Sequence, residues 1–303
     1  MSTPYQLELA PRGPFSLAAA ASFGFGPTEG RAPGFDGVLR YAFPLDGGSG
    51  YAGVELRQSA MDALVSAEVQ GGEDPAVVAG QLERVLSLDH DGDAFLEVGQ
   101  RDPVIGRLQR EFPGQRPVLF FSPYEAAAWS VISARQRGIP AAQVRGTICQ
   151  RWGEGFTLSG RREWAFPQPD RLLGAGQLSV PGLNEEKERR LLAVAEAARD
   201  GLLDVAALRS LGPQDAFVEV QRLRGIGPFY ASLIVVRACG FADAPLPVAE
   251  PRVLANAARF YGLSEPPALE RFAELSEAWR PFRTWATVLL RLAGARGAAA
   301  GLS

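Results

Sequence analysis

The sequence predicts an α+β chain in two parts: a small antiparallel sheet domain over residues 1–115 and an all-helical domain over residues 116–303. Three observations predict it. Alternating apolar and polar runs, the mark of half-buried strands, are confined to the stretch that ends at Val69. A proline-rich segment, FPGQRPVLFFSP from Phe112 to Pro123, then interrupts the pattern. Beyond it apolar residues recur at helical spacing, in segments mostly opened by Pro or an Asn or Asp cap and closed near Gly.

In order, YQLEL (Tyr5 to Leu9), VLRYAF (Val38 to Phe43), YAGVELRQ (Tyr51 to Gln58) and ALVSAEV (Ala63 to Val69) read as strands. Between and after them PFSLAAAASFG reads as a short buried helix, and DPAVVAGQLERVLSL as a helix with Asp74 as N-cap and Pro75 in the first turn. DHDGD (Asp89 to Asp93) lacks the further ligands of a calcium loop and reads as an acidic turn. Ser122 and Glu125 frame Pro123 as a capping box, hydroxyl and carboxylate each serving a backbone N–H of the other. Helices are then expected over 140–152, 169–173, 184–199, 204–210, 213–223, 228–239, 251–261, 267–279 and 281–292.

Composition narrows the function. The chain has 303 residues, 47% hydrophobic, enough to bury more than one core. No apolar run reaches membrane-spanning length, and MSTPYQLELAPRG lacks the regions of a signal peptide, so a cytoplasmic location is expected. Cys149 and Cys239 fit reduced, buried thiols, and with one histidine, His90, no zinc or iron–sulfur ligand set is expected. The net charge of −3 divides into −7 over residues 1–121 and +4 over 122–303, so only the second part suits a polyanion. Lys187 is the sole lysine; the remaining positive charge is guanidinium, whose fork fits phosphate.

The most informative stretch runs from Val220 to Tyr261. Gly225, Ile226 and Gly227 make a turn, and Pro228 stands where a helix begins, so LRGIGPFY reads as a tight turn into a helix N-terminus. Glycines allow close approach of another backbone, and the helix N–H groups favour an anion such as phosphate. At the far end Glu250 precedes Pro251 and stands at the start of the next helix.

From about Phe112 onward the chain resembles the helix-hairpin-helix superfamily of DNA glycosylases, in the branch of 3-methyladenine DNA glycosylase II. The matching pieces are SPYEAAAWSVIS, PAAQVRGTICQRWG, FPQPDRLLGAG, VPGLNEEKERRLLAVAEAARDG, LRGIGPFYASLIVVRACG, LPVAEPRVLANAARFYG and SEAWRPFRTWATVLLR, in family order. The resemblance implies a TATA-binding-protein-like sheet domain before the helices. It also implies a monomeric enzyme that binds damaged double-stranded DNA, needs no membrane, flips a base and excises alkylated purines of the 3-methyladenine type in base-excision repair. By the same resemblance the amides of Gly225, Ile226 and Gly227 grip a DNA phosphate. A monovalent cation is implied on the carbonyls of Gln221, Leu223 and Ile226, with no other cofactor required.

Two positions depart from the family. Its catalytic aspartate falls on Glu250, which serves either as the catalytic carboxylate or as a helix cap stabilised by the dipole. A glutamine and a gap-filling residue fall on Ala134 and Arg135; Arg135 fills the gap left by a flipped base, contacts phosphate with Arg137, or belongs to a solvated surface pair. Phe229 stands where lyase-competent branches carry lysine, so the resemblance implies hydrolysis without strand cleavage. Trp279 and Phe229 match aromatic positions of the base pocket, core packing being the other reading of Trp279. A damaged-DNA-binding protein with impaired catalysis, and a glycosylase shifted toward deaminated or etheno bases, are the alternatives.

Overall fold

A computed structural model describes residues 3–23, 35–48, 50–61, 63–136 and 138–297 of the chain. Four strands, β1 (Tyr5–Leu9), β2 (Leu39–Pro44), β3 (Tyr51–Gln58) and β4 (Val65–Gly71), form one antiparallel sheet in the order β1-β4-β3-β2. Period-two alternation puts Val65, Ala67 and Val69 of β4 wholly inside, level with Leu56 and Val54 of β3. That face is closed by α1 (Leu17–Ala21) and α2 (Pro75–Val85), through Leu17, Val78, Leu82 and Val85. Asp74 caps α2 by accepting the Ala76 N–H at 2.9 Å, with Pro75 behind it.

The second region is not wholly helical. Gly155–Leu158 (β5) and Arg161–Trp164 (β6) form a hairpin that lies over the outer face of the sheet, which explains why β3 is buried on both sides. Phe156 packs where Gly53 has no side chain; a Cβ there would stand 2.3 Å from the ring. Glu55 accepts from the backbone N–H and hydroxyl of Ser159, and Arg40 Nε donates to Leu158 O at 3.2 Å.

The expected division near residue 115 also needs correction. α3 (Gly92–Arg101) and α4 (Pro103–Glu111), capped by Asp91 and Asp102, lie before that point yet pack against the C-terminal helices. Phe95, Val98, Ile105 and Leu108 share a core with Phe260, Phe272, Trp279 and Trp285. Burial follows the apolar stripes of α3 and α4, which find their partner across the chain and not on the sheet. Arg116, 2% exposed, ties the parts together by donating to the carbonyls of Gly13 at 2.9 Å, Pro14 at 2.9 Å and Ser87 at 3.0 Å.

The remaining helices are α5 (Pro123–Ser133), α6 (Gly138–Trp152), α7 (Pro169–Leu173), α8 (Glu185–Arg199), α9 (Val205–Val220), α10 (Pro228–Ala238), α11 (Pro251–Tyr261), α12 (Leu269–Ser276) and α13 (Arg283–Ala295). The two helices expected over 204–210 and 213–223 are both present within α9, which is broken between them at Gly212, whose φ of 79° a helix interior does not allow. The capping box on α5 is half made. Ser122 Oγ accepts the Glu125 N–H at 3.1 Å, but the Glu125 carboxylate turns inward to Arg145. Glu125 is only 1% exposed, and a buried carboxylate gains more from a cation than from a neutral N-cap amide. Asp91 and Asp89, from the acidic turn, cap α3 and pair with Arg209 at 3.0 Å. Both cysteines are free and buried, and burial raises Cys149 to about 11 and Cys239 to about 12. No described helix is long and apolar enough to cross a membrane.

Candidate active site

α9 and α10 are joined by a short turn, residues 221–227, and form the helix-hairpin-helix. Gly225 sits at φ 91°, which favours glycine, and Gly227 opens α10 from an extended conformation with Pro228 in the first turn. Ile226 plugs the turn into the core at 4% exposure, and its N–H donates to Leu223 O at 3.0 Å. Among the described residues the N–H groups of Gly225 and Gly227 meet no protein acceptor, so the turn presents donors outward. Neutral carbonyl oxygens of the kind Gln221, Leu223 and Ile226 provide suit a cation of low charge. The Leu223 oxygen already takes one N–H, and the other two take none among the described residues.

The second glycine leads directly to Phe229, 52% exposed and edge-on to Tyr230 at 5.5 Å between ring centroids. Phe229 forms one wall of a cleft of about 160 Å³ between α10, the loop before α11, and α13. Ser232, Leu233 and Val236 continue that wall, Leu246 and Val248 come from the loop, and Thr287, Val288 and Arg291 come from α13. Glu250 stands in the lining at the first turn of α11. A void near 150 Å³ in an apolar core holds a benzene-sized ring, so the cleft has the size for one flat ring system.

Glu250 is the N-cap of α11 in fact as well as by position: Oε2 accepts the Val253 N–H at 2.7 Å. The longer side chain folds back to reach that amide, which compensates for the poor capping record of glutamate. The same Oε2 lies 3.6 Å from Arg291 Nε, whereas Oε1 makes no hydrogen bond among the described residues. One oxygen thus holds the carboxylate in place. Arg237, 6% exposed at the base of α10, is pushed down to about 9 by burial first and by the charge of Arg291 second. Asp243, the nearest other acid in sequence, is held by Arg283, which donates Nε at 2.8 Å and Nη2 at 2.9 Å.

The structure brings together Phe229 and Glu250, and it does not bring Trp279 to them. Trp279 is fully buried, its indole N–H donating to Asp102 Oδ2 at 2.8 Å and its ring edge-on to Phe272 at 5.5 Å. The expectation of a pocket tryptophan is therefore corrected: the buried Asp102 carboxylate supplies an acceptor that draws the indole inward. Arg135 is exposed and adopts φ 56°, just past the end of α5. Lys187 Nζ donates to Ile132 O at 2.7 Å and Gln136 Nε2 to Gly182 O at 2.8 Å, holding this turn from both sides. Arg137 lies outside the described residues. Arg237 and Arg291 were missed from sequence, where each reads as an ordinary arginine in an apolar helix.

The chain has the fold of the helix-hairpin-helix DNA glycosylases, with the sheet in front. Among solved structures it is similar to 3-methyladenine DNA glycosylase from Archaeoglobus fulgidus, at 22% identity and a TM-score of 0.78 over 96% of this chain and 98% of that one. It is also similar to the 8-oxoguanine glycosylase/lyase of Clostridium acetobutylicum bound to DNA, at 19% identity and a TM-score of 0.62 over 82% and 85% of the two chains. A third is the 3-methyladenine DNA glycosylase of Schizosaccharomyces pombe with abasic DNA, at 20% identity and a TM-score of 0.51 over 66% and 95%. No family model and no curated protein sequence matches the chain.

Proposed function

We propose that the protein is a monofunctional DNA N-glycosylase that flips a damaged purine into the cleft beside Glu250 and leaves an abasic site. The observation that carries this reading is that Phe229, next to the hairpin glycines, and Glu250 line one cleft, with one Glu250 oxygen accepting no hydrogen bond among the described residues. Gly225 and Gly227 hold a backbone phosphate through their outward amides and the positive end of α10, while Ile226 anchors the turn that presents them. A monovalent cation on the carbonyls of Gln221, Leu223 and Ile226 adds positive charge there. Arg135 either fills the space left by the flipped base or contacts phosphate. Phe229 offers its face to the base.

Hydrolysis follows from these roles. The C1′–N bond breaks with its electron pair on the base nitrogen, and positive charge develops on the sugar. Glu250 stabilises that charge and orients a water, whose oxygen bonds to C1′ and whose proton leaves through the carboxylate. No amine is available at Phe229 for a covalent imine, so strand cleavage is not expected. Alkylated purines in damaged double-stranded DNA are the proposed substrate class, in line with the 3-methyladenine glycosylases among the fold neighbours, and a monomer is the proposed working form.

The test is incubation with duplexes that carry single methylated, deaminated or etheno bases, followed by hot alkali to reveal abasic sites. Glu250→Gln is expected to abolish release while binding persists. Binding without release of any lesion would identify a damaged-DNA-binding protein instead, and a product trapped covalently by borohydride would refute the monofunctional assignment.

A further inference from the structure

Beside the hairpin, Gly225 leaves room for one particular neighbour. A Cβ on Gly225 would stand 3.1 Å from Arg190 Cδ and 3.4 Å from Arg190 Nε, so the arginine stem lies where a side chain would go. Its guanidinium is thereby held next to the turn whose Gly225 and Gly227 N–H groups meet no acceptor among the described residues. Arg190 Nε donates to Glu186 Oε1 at 2.8 Å, one turn back on α8, while its two terminal nitrogens donate to no described residue. Arg189 donates to the other oxygen of Glu186. The charge of Arg224, exposed just before Gly225, reaches the same carboxylate, which the Arg190 hydrogen bond and then the Arg189 charge hold below its ordinary range. Two guanidinium forks and a third cation thus surround one partly exposed oxyanion at the flank of the hairpin, an arrangement that suits a phosphate equally well.

Resting on the reading of this hairpin as a DNA-binding turn, we infer that Arg190 grips a duplex phosphate next to the one on the Gly225 and Gly227 amides, and that Glu186 occupies its guanidinium in the free protein and yields it to that phosphate. Glu186 is then a stand-in for the ligand. A solvated ion pair within one helix is weak, so the exchange costs little, whereas the incoming phosphate releases counterions condensed on the duplex. Arg189, on the outer side, keeps a partner for Glu186 once it turns away. Because the carboxylate competes with every phosphate alike, it moderates binding to any duplex, damaged or not.

Affinity of the full chain for an undamaged duplex, followed by fluorescence anisotropy over a range of salt concentrations, tests this. Arg190→Met is expected to weaken binding and to lower the slope of log affinity against log salt by about one, the mark of one lost phosphate contact. Glu186→Gln is expected to tighten binding by about threefold, and that gain should vanish in the Arg190→Met background. Arg199→Met removes an equal charge from the last turn of the same helix and should leave the slope at its wild-type value. An unchanged slope in Arg190→Met, an equal fall in Arg199→Met, or a Glu186→Gln gain that survives without Arg190 overturns the inference. Base release is measured separately on duplexes with lesions. Its absence for every lesion would end the base-excision reading and leave the phosphate grip standing, while a wild type that binds no duplex would remove both.

Discussion

Trp279 donates its indole N–H to Asp102 at 2.8 Å, joining a residue near the C-terminus to the helix cap of α4. Asp102 also accepts the Tyr261 hydroxyl at 2.6 Å and the N–H groups of Val104 and Ile105, each at 3.0 Å. Asp102→Ala would remove the cap and leave the half-buried Tyr261 hydroxyl without its acceptor, the buried indole N–H keeping only the Tyr261 oxygen at 3.2 Å. A loss of about 3 kcal/mol is expected, read by urea unfolding. Trp279→Phe should lower stability and leave the single-turnover rate of base release unchanged; a slowed rate in a folded variant would return Trp279 to the base pocket.

Glu125 and Arg145 form an ion pair within the helical core, with the Tyr124 hydroxyl buried nearby. Arg145→Met strands a buried carboxylate and is expected to cost about 3–5 kcal/mol in denaturant unfolding. Replacing both members with leucine should recover most of that loss, since no buried charge remains. A double variant as unstable as the single one would mean that the pair itself is stabilising.

Acid should loosen the contact between hairpin and sheet. Burial pushes Glu55 up, but hydrogen bonds from Ser159 and Arg57 outweigh it and hold the carboxyl below its ordinary 4.5. Its folded pKa is therefore the lower one, and between the two values the unfolded chain binds more protons. The contribution is fully present above about 4.5 and is lost as pH falls through the folded value. Thermal unfolding from pH 7 downward should show a shallower acid limb for Glu55→Gln than for wild type. Parallel limbs would remove Glu55 from the account.

Gly225 at φ 91° stands with its missing Cβ 3.1 Å from Arg190 Cδ. Gly225→Val strains the backbone by about 1–2 kcal/mol and pushes that side chain aside. Duplex binding should weaken for every sequence, and the slope of log affinity against log salt should fall by about one as a phosphate contact is lost. An unchanged slope would place the phosphate elsewhere.

Local chemistry made much of this molecule legible. The strands from Tyr5 to Val69, the caps Asp74, Ser122, Asn184 and Asp204, and the break at Gly212 follow from short-range preferences that hold whatever packs around them. Long-range facts were not legible in the same way. Trp279 lies 177 residues from the acid that decides its orientation, and Glu125 gave up half its capping box to an arginine on another helix. Phe156 is in a four-residue strand too short to alternate convincingly, and only the bare backbone at Gly53 gives it a place to pack. Asp102 followed by Pro103 opens α4, which was not among the expected helices, and nothing local said which core it would join.

α13 has an additional consequence because one helix serves three neighbourhoods. Leu292 faces the sheet-side core, Leu289 and Leu290 face the C-terminal core, and Thr287 and Arg291 line the cleft. Selectivity and foldability therefore share a single segment. Attempts to retune the cleft through α13 will meet a stability limit sooner than changes at Leu246 and Val248 in the loop. That loop is where new specificity has the most room to arise.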